Sequence, residues 1–229
     1  MAGPDMAGPG PTSEKRIRAV AFDAGETLFD ETRAWSLWAD WLGVPPFTLF
    51  GVLGGVIERG EHHRRAFEIV RPGIDVAAEE ARKAAAGLAY RLDAGDLYPD
   101  ALPALRELQA LGYRLAVAAN QPVSTEDVVR DLGVEFEVVA SSTSWGVAKP
   151  DPAFFARLAQ ELALPASAIA YVGDRIDVDV RPVVAAGMTA IHVRRGPWGF
   201  AHAASALAAG ATAQIASLAE LPGILAGLG

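Results

Sequence analysis

The chain reads as an α/β protein: a doubly wound parallel sheet with a small all-helical domain inserted after its first strand. Three observations predict this. Short apolar runs of strand length alternate with amphipathic helical patterns through most of the 229 residues. Those runs are near-continuously apolar, as in strands covered on both faces. Between residues 31 and 96 the alternation stops, and helical patterns follow one another without a strand.

The first 16 residues, rich in Gly and Pro, read as a disordered tail. The first strand is Ile17–Phe22. Later runs at Arg114–Ala119, Phe136–Ala140, Ala168–Val172 and Thr189–Val193 supply four more, and Ala213–Ile215 a weak sixth. Asp100 is placed to cap a helix through Leu102, Leu105 and Leu108 that stops at Gly112. Ser124 with Asp127 reads as a capping box, and that helix ends near Gly133. Pro152 opens a helix through Phe155, Leu158 and Leu162. Val178–Ala186 forms another, ended by Gly187, and Ser217 starts the last. Within the insert, Gly43-Val44-Pro45-Pro46, Gly60 and Arg71-Pro72-Gly73 separate three or four helices. The expected organisation is tail 1–16, core 17–30 plus 97–229, and helical domain 31–96.

Apolar residues make up 51% of the chain, enough for a full core, and the formal net charge is −8. A nucleic-acid partner held through its phosphates needs a basic face, so none is expected. A small anionic ligand remains compatible, because a metal ion or a few donors can reverse the local field. The absence of cysteine excludes disulfides, thiolate metal sites and a Cys nucleophile. The apolar stretch Phe47–Ile57 is broken by Gly51, Gly54 and Gly55 and falls short of the roughly 18–20 residues a bilayer requires, so no membrane span is expected. The N-terminal residues lack an apolar signal region and carry Asp5, so the expected location is cytoplasmic.

Ligands of a parallel α/β sheet collect outside the carboxyl ends of its strands. There the chain places Asp23 after the first strand, Asn120 after the second, Lys149 beyond the third, and Asp174, Asp177 and Asp179 after the fourth. A carboxylate can attack phosphorus and form an aspartyl-phosphate. That attack brings anion to anion, so a divalent cation is needed to hold both. Asp23 and Asp174 are hard oxygen ligands of the kind Mg²⁺ prefers. Lys149 can neutralise phosphoryl oxygens, and Asn120 and backbone N–H groups can donate to them. Asp179 either holds a metal-bound water or orients Lys149.

The stretches FDAGETLFD, VAANQP, GVAKPDPAFF and YVGDRIDVDVRPVVAAGM, in this order and spacing, resemble the motifs of the haloacid dehalogenase superfamily. The resemblance spans the chain beyond the tail. It implies a Rossmann-like core with the insert as a helical cap, a small phosphorylated substrate, Asp23 as nucleophile, Asn120 and Lys149 as catalytic and substrate-binding residues, and Mg²⁺ held by Asp23, the Gly25 carbonyl, Asp174 and Asp179. The cap, hinged near Asp30 and residues 96–99, would open to admit substrate and close to exclude water.

The chain also departs from that pattern. Phosphatases of the superfamily carry an acid–base Asp two residues after the nucleophile, and here that residue is Gly25, followed by Glu26. Losing such a group costs about 10²–10⁴ in rate. Glu26 reads equally well as a catalytic group or as a solvent-facing loop residue. Ala119 supplies no hydroxyl, which leaves a thinner phosphate cradle. The alternatives are a metal-independent 2-haloacid dehalogenase type, which the first motif also resembles, and a catalytically weak member that binds a phosphorylated ligand. Asp174, Asp177 and Asp179 together argue for a cation.

Other conspicuous residues have plainer readings. Trp35, Trp38 and Trp41 are expected to pack the cap, and His62-His63 to lie on a solvated helix face. His192 is expected to pack against a helix, Arg194-Arg195 to sit in a solvated loop, and Asp177 to serve as a helix N-terminal carboxylate. Arg175 can pair with one of the acids. Trp145 either shapes the entrance or anchors its loop.

Overall fold

The computed structural model describes residues 16–204 and 209–228. The expected tail, up to residue 15, lies outside them. Among the described residues six strands, β1 (Ala19–Phe22), β2 (Arg114–Ala119), β3 (Val138–Ser141), β4 (Ile169–Gly173), β5 (Thr189–Val193) and β6 (Ala213–Ile215), form one sheet in the order β3-β2-β1-β4-β5-β6. Every pairing is parallel. The order reverses direction beside β1, so the crevice at the carboxyl end of β1 lies between the loops of β2 and β4.

Alternate residues of each strand serve opposite faces. Val20 and Phe22 pack with α5 (Ala101–Ala110) and α11 (Leu221–Ala226) through Leu105, Leu108, Leu221 and Leu225. Ala19 and Ala21, with Ala116 and Ala118, face α8 (Pro152–Glu161) and α9 (Arg181–Ala185). Small strand residues on that side leave room for Phe154, Phe155 and Tyr171, all at most 1% exposed.

Four helices follow β1: α1 (Thr32–Leu42), α2 (Pro46–Glu58), α3 (Arg65–Val70) and α4 (Val76–Ala85). Gly43 adopts φ 71° between the first two, a conformation open to glycine at no steric cost, and Pro46 then starts α2. The two axes turn by 111°, and no single helix among the described residues is long and apolar enough to cross a membrane. Trp35, Leu49, Leu53, Val56 and Phe67 form their shared core, as expected for Trp35. That core also takes in Trp198, from α10 (Gly196–Ala203), a helix absent from the sequence-based reading because its Gly-Pro-Trp-Gly start shows no periodicity.

The chain enters and leaves this helical segment through two paired strands of backbone. Asp30 N donates to the Asp96 carbonyl at 2.7 Å, and Tyr98 N to the Leu28 carbonyl at 2.9 Å. Arg33 ties both together, donating to Asp96 Oδ1 (2.8 Å) and Asp93 Oδ2 (2.9 Å).

Several local expectations are corrected. Asp100 does not cap α5 with its side chain. It accepts instead from Arg195 (2.5 Å), from Ser217 Oγ (2.7 Å) and from Leu218 N (2.9 Å). Arg195 is therefore 7% exposed rather than solvated. Helix α6 (Ser124–Arg130) starts after Val123 without a side-chain cap, so the Ser124–Asp127 box does not form. The helix expected over Val178–Ala186 begins as a wide turn of π type at Ile176–Val180 and becomes α-helical only at Arg181.

Candidate active site

Strand β1 delivers Asp23 to the centre of the sheet edge, where its N–H donates to the Val172 carbonyl at 2.9 Å. Lys149 reaches under it from the loop beyond β3. Its Nζ lies 2.9 Å from Asp23 Oδ1 and 2.6 Å from Asp179 Oδ1, and donates to Tyr171 Oη at 2.9 Å. Tyr171 in turn donates to the Ala118 carbonyl at 2.7 Å. Burial works against the Lys149 charge, but Asp179 and Asp23 outweigh it and hold the ammonium well above its usual value.

Asp23, Asp174 and Asp179 offer ligand oxygens that all lie within 4.8 Å of one another, and all three residues are buried. Burial, then repulsion from Asp179 and Asp23, pushes Asp174 well above the carboxylate range. Burial raises Asp179 to about 6, with Lys149 opposing. Lys149 supplies one positive charge to three carboxylates. A hard divalent cation would balance the remainder, and the all-oxygen donor set fits Mg²⁺ chemistry.

Four of the expected site residues, Asp23, Lys149, Asp174 and Asp179, thus converge. Both Asp179 oxygens are taken by protein donors: Lys149 on Oδ1, and the Arg175 N–H on Oδ2 at 3.0 Å. Of its two expected roles, the hydrogen bonds match orientation of Lys149. Gly173 makes this fold-back possible. A Cβ there would meet Asp179 Cγ and Oδ2 at 2.4 Å. Asn120 lies in the same cleft, but its amide braces Lys149. Its Nδ2 donates to the Lys149 carbonyl and its Oδ1 accepts from the Lys149 N–H, both at 2.8 Å. An amide nitrogen carries two hydrogens, so one remains for a ligand.

Asp23, Asn120, Lys149 and Asp174 line a cleft of about 540 Å³ that also includes Gly25, Glu31, Gln121, His62, His63 and Trp198. The histidines are therefore on the cleft wall, with His63 partly buried, rather than on a wholly solvated helix face. Burial lowers His63 to about 4, so it is neutral near pH 7. Arg175 pairs with Asp177 in bidentate fashion, donating from Nε at 3.0 Å and from Nη2 at 2.6 Å. Trp145, the last residue of the short helix α7 (Ser142–Trp145), meets Phe154 edge to face and lies under the Arg157 guanidinium, which anchors its loop. His192 does more than pack. The Gln214 amide donates to its Nδ1, so its Nε2–H donates to the Asp174 carbonyl at 2.8 Å and steadies that loop.

Two acids near Gly25 behave differently from the sequence-based expectation. Glu26 is neither solvent-facing nor free. It is 5% exposed, and it accepts from the Tyr98 hydroxyl and from the Glu31 N–H. Burial lifts it to about 7 against the pull of Tyr98. Glu31, which the sequence reading overlooked, enters the cleft from the residue before α1. Its Oε1 accepts from Gln121 Nε2 at 3.1 Å. Burial, partly offset by Gln121 and reinforced by Asp23, raises its carboxyl above the usual range. An acid immediately before the first cap helix was the available signal. Nothing in the sequence spacing showed it folding back over Gly25.

Comparison with known proteins decides the family. Residues 17–187 match the haloacid dehalogenase-like hydrolases. The chain belongs to that family. It is a hydrolase, with the cap-bearing α/β fold of its relatives. It is 32% identical over 200 residues to the glyceraldehyde 3-phosphate phosphatase of Methanopyrus kandleri, covering 80% of this chain and 86% of that one. It is also 32% identical over 193 residues to a plasmid phosphoglycolate phosphatase of Cupriavidus necator, covering 80% of each. Among solved structures, a 2-haloacid dehalogenase from Pseudomonas syringae superposes with a TM-score of 0.57 at 27% identity, covering 93% of this chain and all of that one (100%).

Proposed function

We propose that this hydrolase is a divalent-cation-dependent phosphatase of small phosphorylated metabolites, working through a phosphorylated Asp23. The observation that carries the reading is the convergence of Asp23, Asp174 and Asp179 around Lys149 at one sheet edge. The two phosphatase relatives, matched over four-fifths of this chain (80%), support it. Asp23, the Gly25 carbonyl and Asp174 would hold Mg²⁺, with Asp179 acting through Lys149. The cation would draw charge from the phosphoryl oxygens and let a carboxylate approach them.

The protein groups do the rest. Lys149 neutralises phosphoryl oxygens from its place beside Asp23. Asn120, braced on Lys149, offers its remaining N–H to the same oxygens. One Asp23 oxygen bonds to phosphorus as the ester P–O bond breaks, and water then releases phosphate and regenerates the carboxylate. Segment 31–96 acts as the cap, with Asp30 and residues 96–99 as its hinge strands. Its His63 and, from the core, Trp198 close over the organic part of the substrate. Because Arg175 is already bonded to Asp177, that wall suits an uncharged hydroxyl- or carbonyl-bearing group.

The test is a pair of substrates, p-nitrophenyl phosphate and 2-chloropropionate, each with Mg²⁺ and with EDTA. Phosphate release with Mg²⁺ that stops in EDTA is expected. Chloride release in EDTA would overturn the reading in favour of dehalogenation.

A further inference from the structure

An ester of an unactivated alcohol leaves slowly unless its oxygen receives a proton as the bond breaks. Most acids in the cleft are committed elsewhere. Asp23 and Asp179 are paired with Lys149, and Asp177 with Arg175. Asp174 belongs to the carboxylate cluster. Glu26 directs its oxygens to the Tyr98 hydroxyl and the Glu31 N–H.

Glu31 differs in position. A Cβ built on Gly25 would meet Glu31 Oε1 at 2.3 Å and Gln121 Nε2 at 3.2 Å. The carboxyl at the start of α1 therefore occupies the space that a side chain at position 25 would fill, and Gln121 fixes its orientation. Glu31 also stands where two clefts meet. It lines the main one with Asp23, and with His63 and Gln121 it lines an adjoining chamber of about 220 Å³ walled by Trp35, Trp38 and Tyr90. A phosphoryl group against Asp23 and an organic group in that chamber would put the bridging oxygen beside Glu31.

We propose that Glu31 is the general acid–base of this enzyme, replacing from the cap the carboxyl that position 25 lacks. This rests on the phosphatase reading. In the first step Asp23 bonds to phosphorus, the electron pair of the breaking P–O bond goes to the leaving oxygen, and the Glu31 proton neutralises it. In the second, Glu31 takes a proton from water as the water oxygen bonds to phosphorus and the Asp23–phosphorus bond breaks.

The experiment compares wild type and Glu31→Gln on p-nitrophenyl phosphate, whose leaving group needs no proton, and on glycerol 3-phosphate, whose leaving group does. Rapid-quench measurement of phosphorylated protein, with Mg²⁺ present, isolates the first step. The variant should phosphorylate from the aryl ester within about threefold of wild type, and from glycerol 3-phosphate about 10²-fold or more slowly. Its aryl turnover should show a burst and then stall, because the second step also needs Glu31. Equal losses in the rate of the first step on the two esters, or no loss on either, would overturn the assignment and leave the phosphatase reading standing. A wild type that releases phosphate from neither ester would overturn both. A positional exchange supplies a second readout. Gly25→Asp alone should lose activity by collision with Glu31, and Gly25→Asp with Glu31→Ala should regain about tenfold or more over Glu31→Ala on glycerol 3-phosphate. A folded double variant no better than Glu31→Ala would count against the proposal.

Discussion

Replacing Lys149 by Met would test how the site balances its charge. Met keeps the length and apolar stem but removes the cation that Asp23 and Asp179 share at 2.9 and 2.6 Å. Breaking a buried ion pair by removing one partner costs about 3–5 kcal/mol, because the other charge is left uncompensated. Here the loss is limited by protonation. Asp179 stands at about 6 even with Lys149 beside it, so without the lysine it rises further and takes up a proton at neutral pH. The lower end, about 3 kcal/mol, is expected, or about 6–12 °C in Tm for a chain of this length. The deficit should shrink as pH falls, since acid completes the protonation of Asp179. Mg²⁺ should stabilise the variant more than the wild type, because a cation can displace the proton on Asp179 but cannot displace the Lys149 ammonium. Stabilisation by bound ligand reaches about 2.7 kcal/mol at a hundredfold excess over Kd. The assay is thermal unfolding of both proteins in EDTA and in Mg²⁺. A Tm loss under about 2 °C in EDTA, or an equal gain from Mg²⁺ in both proteins, would refute this account of the charge balance.

Two other outcomes follow from the same geometry. Gly173→Ala should push Asp179 away from Lys149, since the new methyl carbon would meet its carboxylate at 2.4 Å. A stability loss of about 1–3 kcal/mol together with a fall in kcat is expected, read by urea unfolding and phosphate release, and unchanged kcat would contradict the placement of Asp179. His63 gives a pH signature. Burial, then His62, Arg175 and Arg64, hold its pKa at about 4 in the fold against 6.5 for a free imidazole. Its neutral form favours the fold, so the stability it contributes is complete above about 6.5 and is lost as pH falls toward about 4. His63→Gln should flatten urea-unfolding free energies across that window by about 1–3 kcal/mol, and an unaltered slope would contradict the burial of the ring.

The core was legible because its strands are buried on both faces and therefore spell themselves as nearly continuous apolar runs. Asp23, Asn120, Lys149 and Asp174 were legible because each follows such a run, and the parallel topology gathers those ends. Boundaries moved by a residue or two where pairing, not hydrophobicity, sets them, as at β3. Glu31, His63 and Trp198 were not legible as cleft residues. Each belongs locally to a helix end or connection of ordinary composition, and only the docking of α1, α2 and α10 turns it inward. Asp100 and Arg195 illustrate the same limit. Their ion pair joins segments far apart in the chain, so local capping rules misassigned one and exposure rules the other.

The central claim is that Asp23 itself becomes phosphorylated. The most direct measurement is acid quench of the wild-type protein during turnover of p-nitrophenyl phosphate with Mg²⁺, followed by mass spectrometry of the peptide that carries Asp23. One added phosphoryl group is expected on that peptide, labile to hydroxylamine, absent in EDTA and absent in Asp23→Asn. Turnover without any such adduct, or an adduct that persists in Asp23→Asn, would contradict that claim.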